Sequence, residues 1–240
     1  MTLEILATHD AVTARALSVV STAVRTTAPL TLGLPTGRTP QALYAALVAD
    51  RLDWSRVRTF NLDEFAGLAP GAPGSFRSFM DAHLFSRVNL PAPAIEFLRG
   101  DAGDEAGECA RFDAAMRDAG GLDLLLLGLG ANGHIGFNEP GPSLVAETHG
   151  VDLHEATRRA NSDRFDGDWQ RVPARALTMG MAAVLGARRV VLMATGAGKA
   201  DAVRAMIEGP LTTACPASWL QTHPHALVLV DEAAAARLTR

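Results

Sequence analysis

Short apolar runs alternate along the chain with segments whose apolar residues recur every three or four positions, which predicts strands and helices in turn. Residues 3–7, 30–34, 57–61, 95–98, 124–127, 189–194 and 226–230 read as strands. The run 124–127 is four leucines, as expected for a parallel strand buried on both faces. Helical spacing covers 9–24, 41–48, 75–88, 104–118, 176–185, 200–207 and 231–238. Thr39 reads as the N-cap of the second helix with Pro40 as its first helical residue. Residues 147–171 break the pattern, being dense in His, Asp, Glu and Arg, and read as an exposed segment or a lid, over about 147–175. Strand followed by helix, repeated, predicts an α/β fold: a single-domain, doubly wound, mostly parallel sheet with helices on both faces, Rossmann-like in outline.

Composition narrows this picture. A chain of 240 residues with 48% hydrophobic content can bury one large core, so one domain is expected over residues 1–240. Lys and Arg total 22 against 26 Asp and Glu, with no basic block, so no nucleic-acid partner is expected. The two cysteines, Cys109 and Cys215, form no metal-ligand or C-x-x-C pattern, which suits free thiols in a reducing cytoplasm. No apolar run reaches the roughly 18 residues of a membrane span, and the N-terminus lacks a signal-peptide pattern. A soluble cytoplasmic protein is expected, and its oligomeric state stays open, a homo-oligomer included.

Candidate chemistry gathers where apolar runs stop. After 124–127 the sequence Gly128-Leu129-Gly130-Ala131-Asn132-Gly133-His134 continues to Asn138, Glu139 and Pro140, which puts a histidine and a carboxylate at a strand end, where open α/β sheets collect ligands. The plain alternative is a tight turn around a core histidine. The glycines match G-x-G-x-x-G, but Asn138, Pro140, Gly141 and Pro142 follow too soon for the helix that a dinucleotide pyrophosphate requires. Asp63 and Glu64 end another strand and form a carboxylate pair that can meet the His-carboxylate pair above the sheet. Two strand-to-helix turns suit an anion: Thr36-Gly37-Arg38-Thr39, and Gly196-Ala197-Gly198-Lys199 with its fixed positive charge. The second is no nucleotide-triphosphate loop, since Met193 and Ala200 stand where glycine and Ser or Thr would be needed. Neither G-x-S-x-G nor H-E-x-x-H occurs, which disfavours serine hydrolysis and zinc chemistry. Proton-transfer groups beside phosphate-binding turns point to isomerisation or elimination on a phosphorylated sugar.

The segments LGLPTGRTP (32–40), FNLDEF (60–65), GLGANGHIGFNEPG (128–141), ANS (160–162), VPARALTMG (172–180) and GAGKA (196–200) together resemble the glucosamine-6-phosphate deaminases. The related 6-phosphogluconolactonases share the fold and a Gly-His motif but usually lack the FNEP continuation. The resemblance implies conversion of glucosamine 6-phosphate and water to fructose 6-phosphate and ammonia, without a metal or organic cofactor. It makes His134 the ring-opening group, Glu139 its orienting partner and Asp63 the base that moves a proton between C2 and C1. Thr36, Gly37, Arg38 and Lys199 then belong to the phosphate site. Asn132 stands where some members carry an aspartate that completes the relay. After Ala160-Asn161-Ser162, Asp163 precedes Arg164, so Arg164 matches the family's phosphate arginine only with a one-residue gap. His149 and Val151 occupy places that are basic in allosteric members, which carry a longer tail, so no activation by N-acetylglucosamine 6-phosphate is expected.

Three other readings stay open at this level: a deaminase for another amino sugar phosphate such as galactosamine 6-phosphate, a 6-phosphogluconolactonase, and a sugar-phosphate-sensing domain. The sensor has no evident need for Asp63, His134 and Glu139 together.

Overall fold

A computed structural model describes residues 1–239. Its elements, in chain order, are β1 (Thr2–Leu6), α1 (His9–Thr26), β2 (Leu30–Leu34), α2 (Arg38–Ala49), β3 (Val57–Asn61), β4 (Asp63–Phe65), α3 (Phe76–His83), β5 (Ile95–Glu96), α4 (Glu105–Asp118) and β6 (Leu124–Gly128). There follow β7 (His149–Asp152), α5 (Glu155–Ala160), β8 (Arg175–Thr178), α6 (Met181–Gly186), β9 (Val190–Ala194), α7 (Ala200–Glu208), β10 (Ala226–Asp231) and α8 (Glu232–Ala235).

Seven strands form one parallel sheet in the order β1-β10-β9-β6-β2-β3-β5. Successive strands grow outward from β2 through β3 to β5, and on the other side from β6 through β9 to β10. The sheet therefore reverses its direction of growth between β2 and β6, and the crevice above that junction is where such sheets bind ligands. Side chains alternate between faces along each strand. Leu124 and Leu126 pack with Val12, Val19, Leu43 and Tyr44 of α1 and α2. Leu125 and Leu127 pack on the other face with Phe112, Met116, Val184 and Val203 of α4, α6 and α7. Helices thus cover both faces, and the doubly wound fold expected from the sequence is the one observed.

Three local expectations are corrected. Residues 176–185 are not one helix: β8 ends at Thr178 and α6 begins at Met181. At the break, a Cβ on Gly180 would stand 2.2 Å or less from the carbonyl oxygens of Ala146 and Glu147, so tertiary contact overrides the helical propensity of Ala, Leu and Met. Thr39 is not an N-cap. Helix α2 starts at Arg38 after Gly37, whose φ of +135° suits glycine, and Pro40 occupies the third helical position, where its missing N–H has no intrahelical partner to lose. Residues 147–171 are not all irregular either, because they hold β7 and α5. Strand β7 joins β4 and β8 in a small antiparallel sheet, with Asp63 opposite Thr178 and His149 opposite the same threonine.

Candidate active site

A cleft of about 550 Å³ opens at the sheet's reversal point. It is lined by the residues directly after β2, β3, β6 and β9: Pro35 to Pro40, Leu62 and Asp63, Leu129 to Ala131 with His134, and Thr195 with Lys199. Four strand ends thus line the cleft, and Phe76 of α3 with Thr157 and Ala160 of α5 add to its walls.

One corner is built for an anion. Thr36, Gly37, Arg38 and Thr39 present the N-terminus of α2, a helix of 12 residues, and Lys199 faces it from the turn after Gly196. Burial holds the Lys199 ammonium below its ordinary value, and the nearby Arg38 charge adds to the effect. Both cations line the cleft and favour an anion there, although Arg38 is exposed and its Nη1 also stands 3.7 Å from Asp163 Oδ2. His9 and Thr195 also line this cleft, with His9 Nδ1 3.0 Å from Thr195 Oγ1. Sequence reasoning missed both, since neither lies in a glycine turn.

Asp63 enters the cleft from the first residue of β4. It is 6% exposed, and its Oδ1 has no hydrogen-bond partner. Burial pushes its carboxyl up to about 8; the neighbouring Glu64 carboxylate adds to the rise and Arg164 opposes it. Glu64, one residue along the strand, does different work. Its Oε1 accepts the N–H groups of Phe65 (2.8 Å) and Phe76 (2.9 Å), and its Oε2 that of Arg77 (2.9 Å), so it fastens β4 to the N-terminus of α3. Burial raises it to about 7 against those three donors and Arg164. Asp63 and Glu64 are thus not a converging catalytic pair: one lines the cleft, the other anchors a helix. Arg164 is absent from the cleft lining; its guanidinium lies over the rings of Phe79 (4.4 Å) and Phe76 (4.9 Å). There its charge acts on Asp63 and Glu64.

The second proton-transfer group comes from the loop after β6. A Cβ on Gly130 would lie 2.4 Å from three atoms of the His134 ring, so glycine is needed for the imidazole to rest against this loop. His134 lines the cleft, and Glu139 and Asn132 stand behind it. His134 Nδ1 is 3.5 Å from Glu139 Oε2, close enough for an ion pair but without a well-formed hydrogen bond. Asn132 donates from Nδ2 to the same oxygen at 2.8 Å and accepts the His134 backbone N–H at 3.2 Å, so it ties the histidine's backbone to the glutamate. Thr157 donates its hydroxyl to Glu139 Oε1, and His154 Nδ1 stands 3.7 Å from Oε2. Burial alone would raise Glu139, but His134, Thr157 and Asn132 outweigh it and hold the carboxyl down at about 2. Asn138 is a structural member of the motif: its Nδ2 donates to the carbonyls of Ile135 and Met179, both at 2.9 Å, which pins the loop to the small sheet. Neither Thr157 nor His154 is marked by any pattern in the sequence.

Among the described residues, no three His, Cys, Asp or Glu side chains converge as a metal site requires, and no helix is long and apolar enough to cross a membrane.

The fold and this cleft define an α/β protein whose ligand site, at the sheet's reversal point, sets proton-transfer groups beside an anion-binding corner. Residues 6–229 match the family model of glucosamine-6-phosphate isomerases and 6-phosphogluconolactonase. A glucosamine-6-phosphate deaminase of Rhodopirellula baltica is 43% identical over 99% of this chain and 96% of its own length. Glucosamine-6-phosphate deaminase 2 of Bacillus subtilis is 45% identical over 86% of this chain and 85% of its own. The solved structure of a monomeric glucosamine-6-phosphate deaminase, 36% identical, superposes with a TM-score of 0.94 over 99% of this chain and 100% of that one. The 6-phosphogluconolactonase of Trypanosoma brucei, 19% identical with a TM-score of 0.76 over 99% and 98% of the two chains, shares the fold. The chain belongs to the glucosamine-6-phosphate isomerase and 6-phosphogluconolactonase family.

Proposed function

We propose that the protein converts glucosamine 6-phosphate and water to fructose 6-phosphate and ammonia. The observation that carries this reading is Asp63, a buried carboxyl with an unpartnered oxygen, in one cleft with His134 and Lys199. The phosphate sits between the N-terminus of α2 and Lys199, with Arg38 beside them. His134, oriented by Glu139, takes the proton of the anomeric hydroxyl and returns one to the ring oxygen, which opens the pyranose. Asp63 then takes the proton from C2 and delivers it to C1, so the aldose amine becomes a ketose imine. Water adds to C2 and ammonia leaves, which balances the reaction. A carboxyl raised to about 8 suits a base that must both accept and give up a proton near neutral pH.

Residues 147–175 serve as a lid beside the cleft, to which Thr157, Ala160 and Asn161 contribute lining. The two cysteines are buried and unpaired, which supports a reducing, cytoplasmic setting. The test is an assay of ammonia and fructose 6-phosphate from glucosamine 6-phosphate, with galactosamine 6-phosphate in parallel. Turnover of glucosamine 6-phosphate that disappears in Asp63→Asn is expected; no turnover, or full turnover by the variant, sinks the reading.

A further inference from the structure

Glu139 has more partners than a histidine-orienting carboxylate needs. Two come from its own loop, His134 and Asn132, and two come from the first turn of α5, His154 and Thr157. Residue 154 is the N-cap of α5 and residue 157 lies three positions on, so both side chains fall on one side of that turn. Their partners divide the carboxylate: Thr157 holds Oε1, while His154 faces Oε2 alongside His134 and Asn132. The carboxylate side chain is 5% exposed, so water cannot replace a lost donor freely.

The turn that makes these contacts does not hold itself. Helix α5 has six residues, too few to persist without outside contacts. Arg158 ties it to the carbonyls of Val172 and Gln170, with its guanidinium over Trp169, and Asn161 Nδ2 closes its last turn on the Thr157 carbonyl at 2.9 Å. All of these partners lie within residues 149–172, so Glu139 is where this segment meets the proton-transfer loop.

We propose that Thr157 and His154 are positioning residues for the His134–Glu139 pair, so that ring opening depends on how α5 sits on Glu139. The inference rests on the function proposed above. A threonine hydroxyl has one hydrogen, and here it is given to Glu139, so Thr157 has none left to donate to substrate although it lines the cleft. Its effect is therefore on kcat through Glu139 and not on substrate affinity. The titratable groups that face Glu139 are His134 from its own loop and His154 from α5, while Asp63 lines the same cleft.

The test compares Thr157→Val, which keeps the shape and removes the donor, with Thr157→Ser, which keeps the donor, and with His154→Gln at a half-exposed position that folding tolerates. Thr157→Val should lower kcat for glucosamine 6-phosphate roughly tenfold, with KM changed less than about twofold. Thr157→Ser should restore kcat to within about threefold, and His154→Gln should cost about two- to threefold. NMR of the His134 ring gives a readout free of turnover: its ring-nitrogen signals should move in Thr157→Val and return in Thr157→Ser. Wild-type kcat and unmoved His134 ring signals in Thr157→Val would overturn the inference, as would a Thr157→Ser variant no better than Thr157→Val. If the unsubstituted chain makes no ammonia, the proposed function fails, and the His134 ring signals still decide whether Thr157 positions the pair.

Discussion

Asp63 lines the cleft from the start of β4 and Glu139 stands behind it, and their surroundings push them in opposite directions. Asp63 is buried with an unpartnered oxygen beside a second carboxylate, and rises to about 8. Glu139 is also buried, though less deeply, and Thr157, Asn132 and His134 surround it, so it falls to about 2. Burial raises both, so the donors and charges beside them decide the opposite outcomes. One carboxylate is left able to trade protons near neutral pH, while the other stays charged and holds a histidine.

The comparison breaks most sharply in kcat. Under the proposed mechanism Asp63→Asn removes the proton carrier and should cost about 10²–10⁴-fold, whereas Glu139→Gln leaves His134 in place and should cost about 10–100-fold. Steady-state assays of the two variants check that order.

That contrast was only half legible in the sequence. The leucine run 124–127 and the glycines after it placed His134 and Glu139 at a strand end, and the fold followed from such runs. Asp63 and Glu64 read as a pair because adjacent carboxylates look alike in a sequence. What separates them is strand alternation and the α3 N-terminus, which Glu64 caps from 12 and 13 residues away. The partners Thr157 and His154 reach Glu139 across the lid segment, a tertiary contact with no local pattern. Strand β8 was hidden because its Ala, Leu and Met neighbours favour helix, while its pairing with β4 is long-range.

Stability should show the same opposition with inverted pH dependence. The folded-state pKa of Asp63 lies above its ordinary 3.8, so its carboxyl is tolerated at low pH and becomes a cost as pH rises toward about 8. Asp63→Asn should therefore leave stability unchanged in acid and raise it by roughly 1–3 kcal/mol at the alkaline end of that window. The folded-state pKa of Glu139 lies below its ordinary 4.5, so its contribution is present above that value and is lost as pH falls toward about 2. Glu139→Gln should destabilise by roughly 1–3 kcal/mol at neutral pH, because a charge-assisted acceptor is lost. Denaturant midpoints across pH read both.

Two substitutions sharpen the contrast further. Asn132→Asp places a second carboxylate against Glu139 Oε2, now 2.8 Å from the amide, so one of the two carboxyls should rise and the acid side of the rate profile should move. A rate profile identical to the unsubstituted chain would show that Asn132 does not tune this pair. Arg164→Gln removes a cation that opposes the rise of Asp63, and the acid limb governed by Asp63 should move to higher pH by about half a unit to one unit. If Arg164 instead binds phosphate, KM will rise and the limb will stay where it is.

The most direct test is a pH titration of the carboxyl carbons in protein labelled with ¹³C at Asp Cγ and Glu Cδ, with Asp63→Asn and Glu139→Gln to assign the signals. Asp63 should titrate near 8 and Glu139 near 2. If both carboxyls titrate together near their ordinary values, the division of labour between them is wrong.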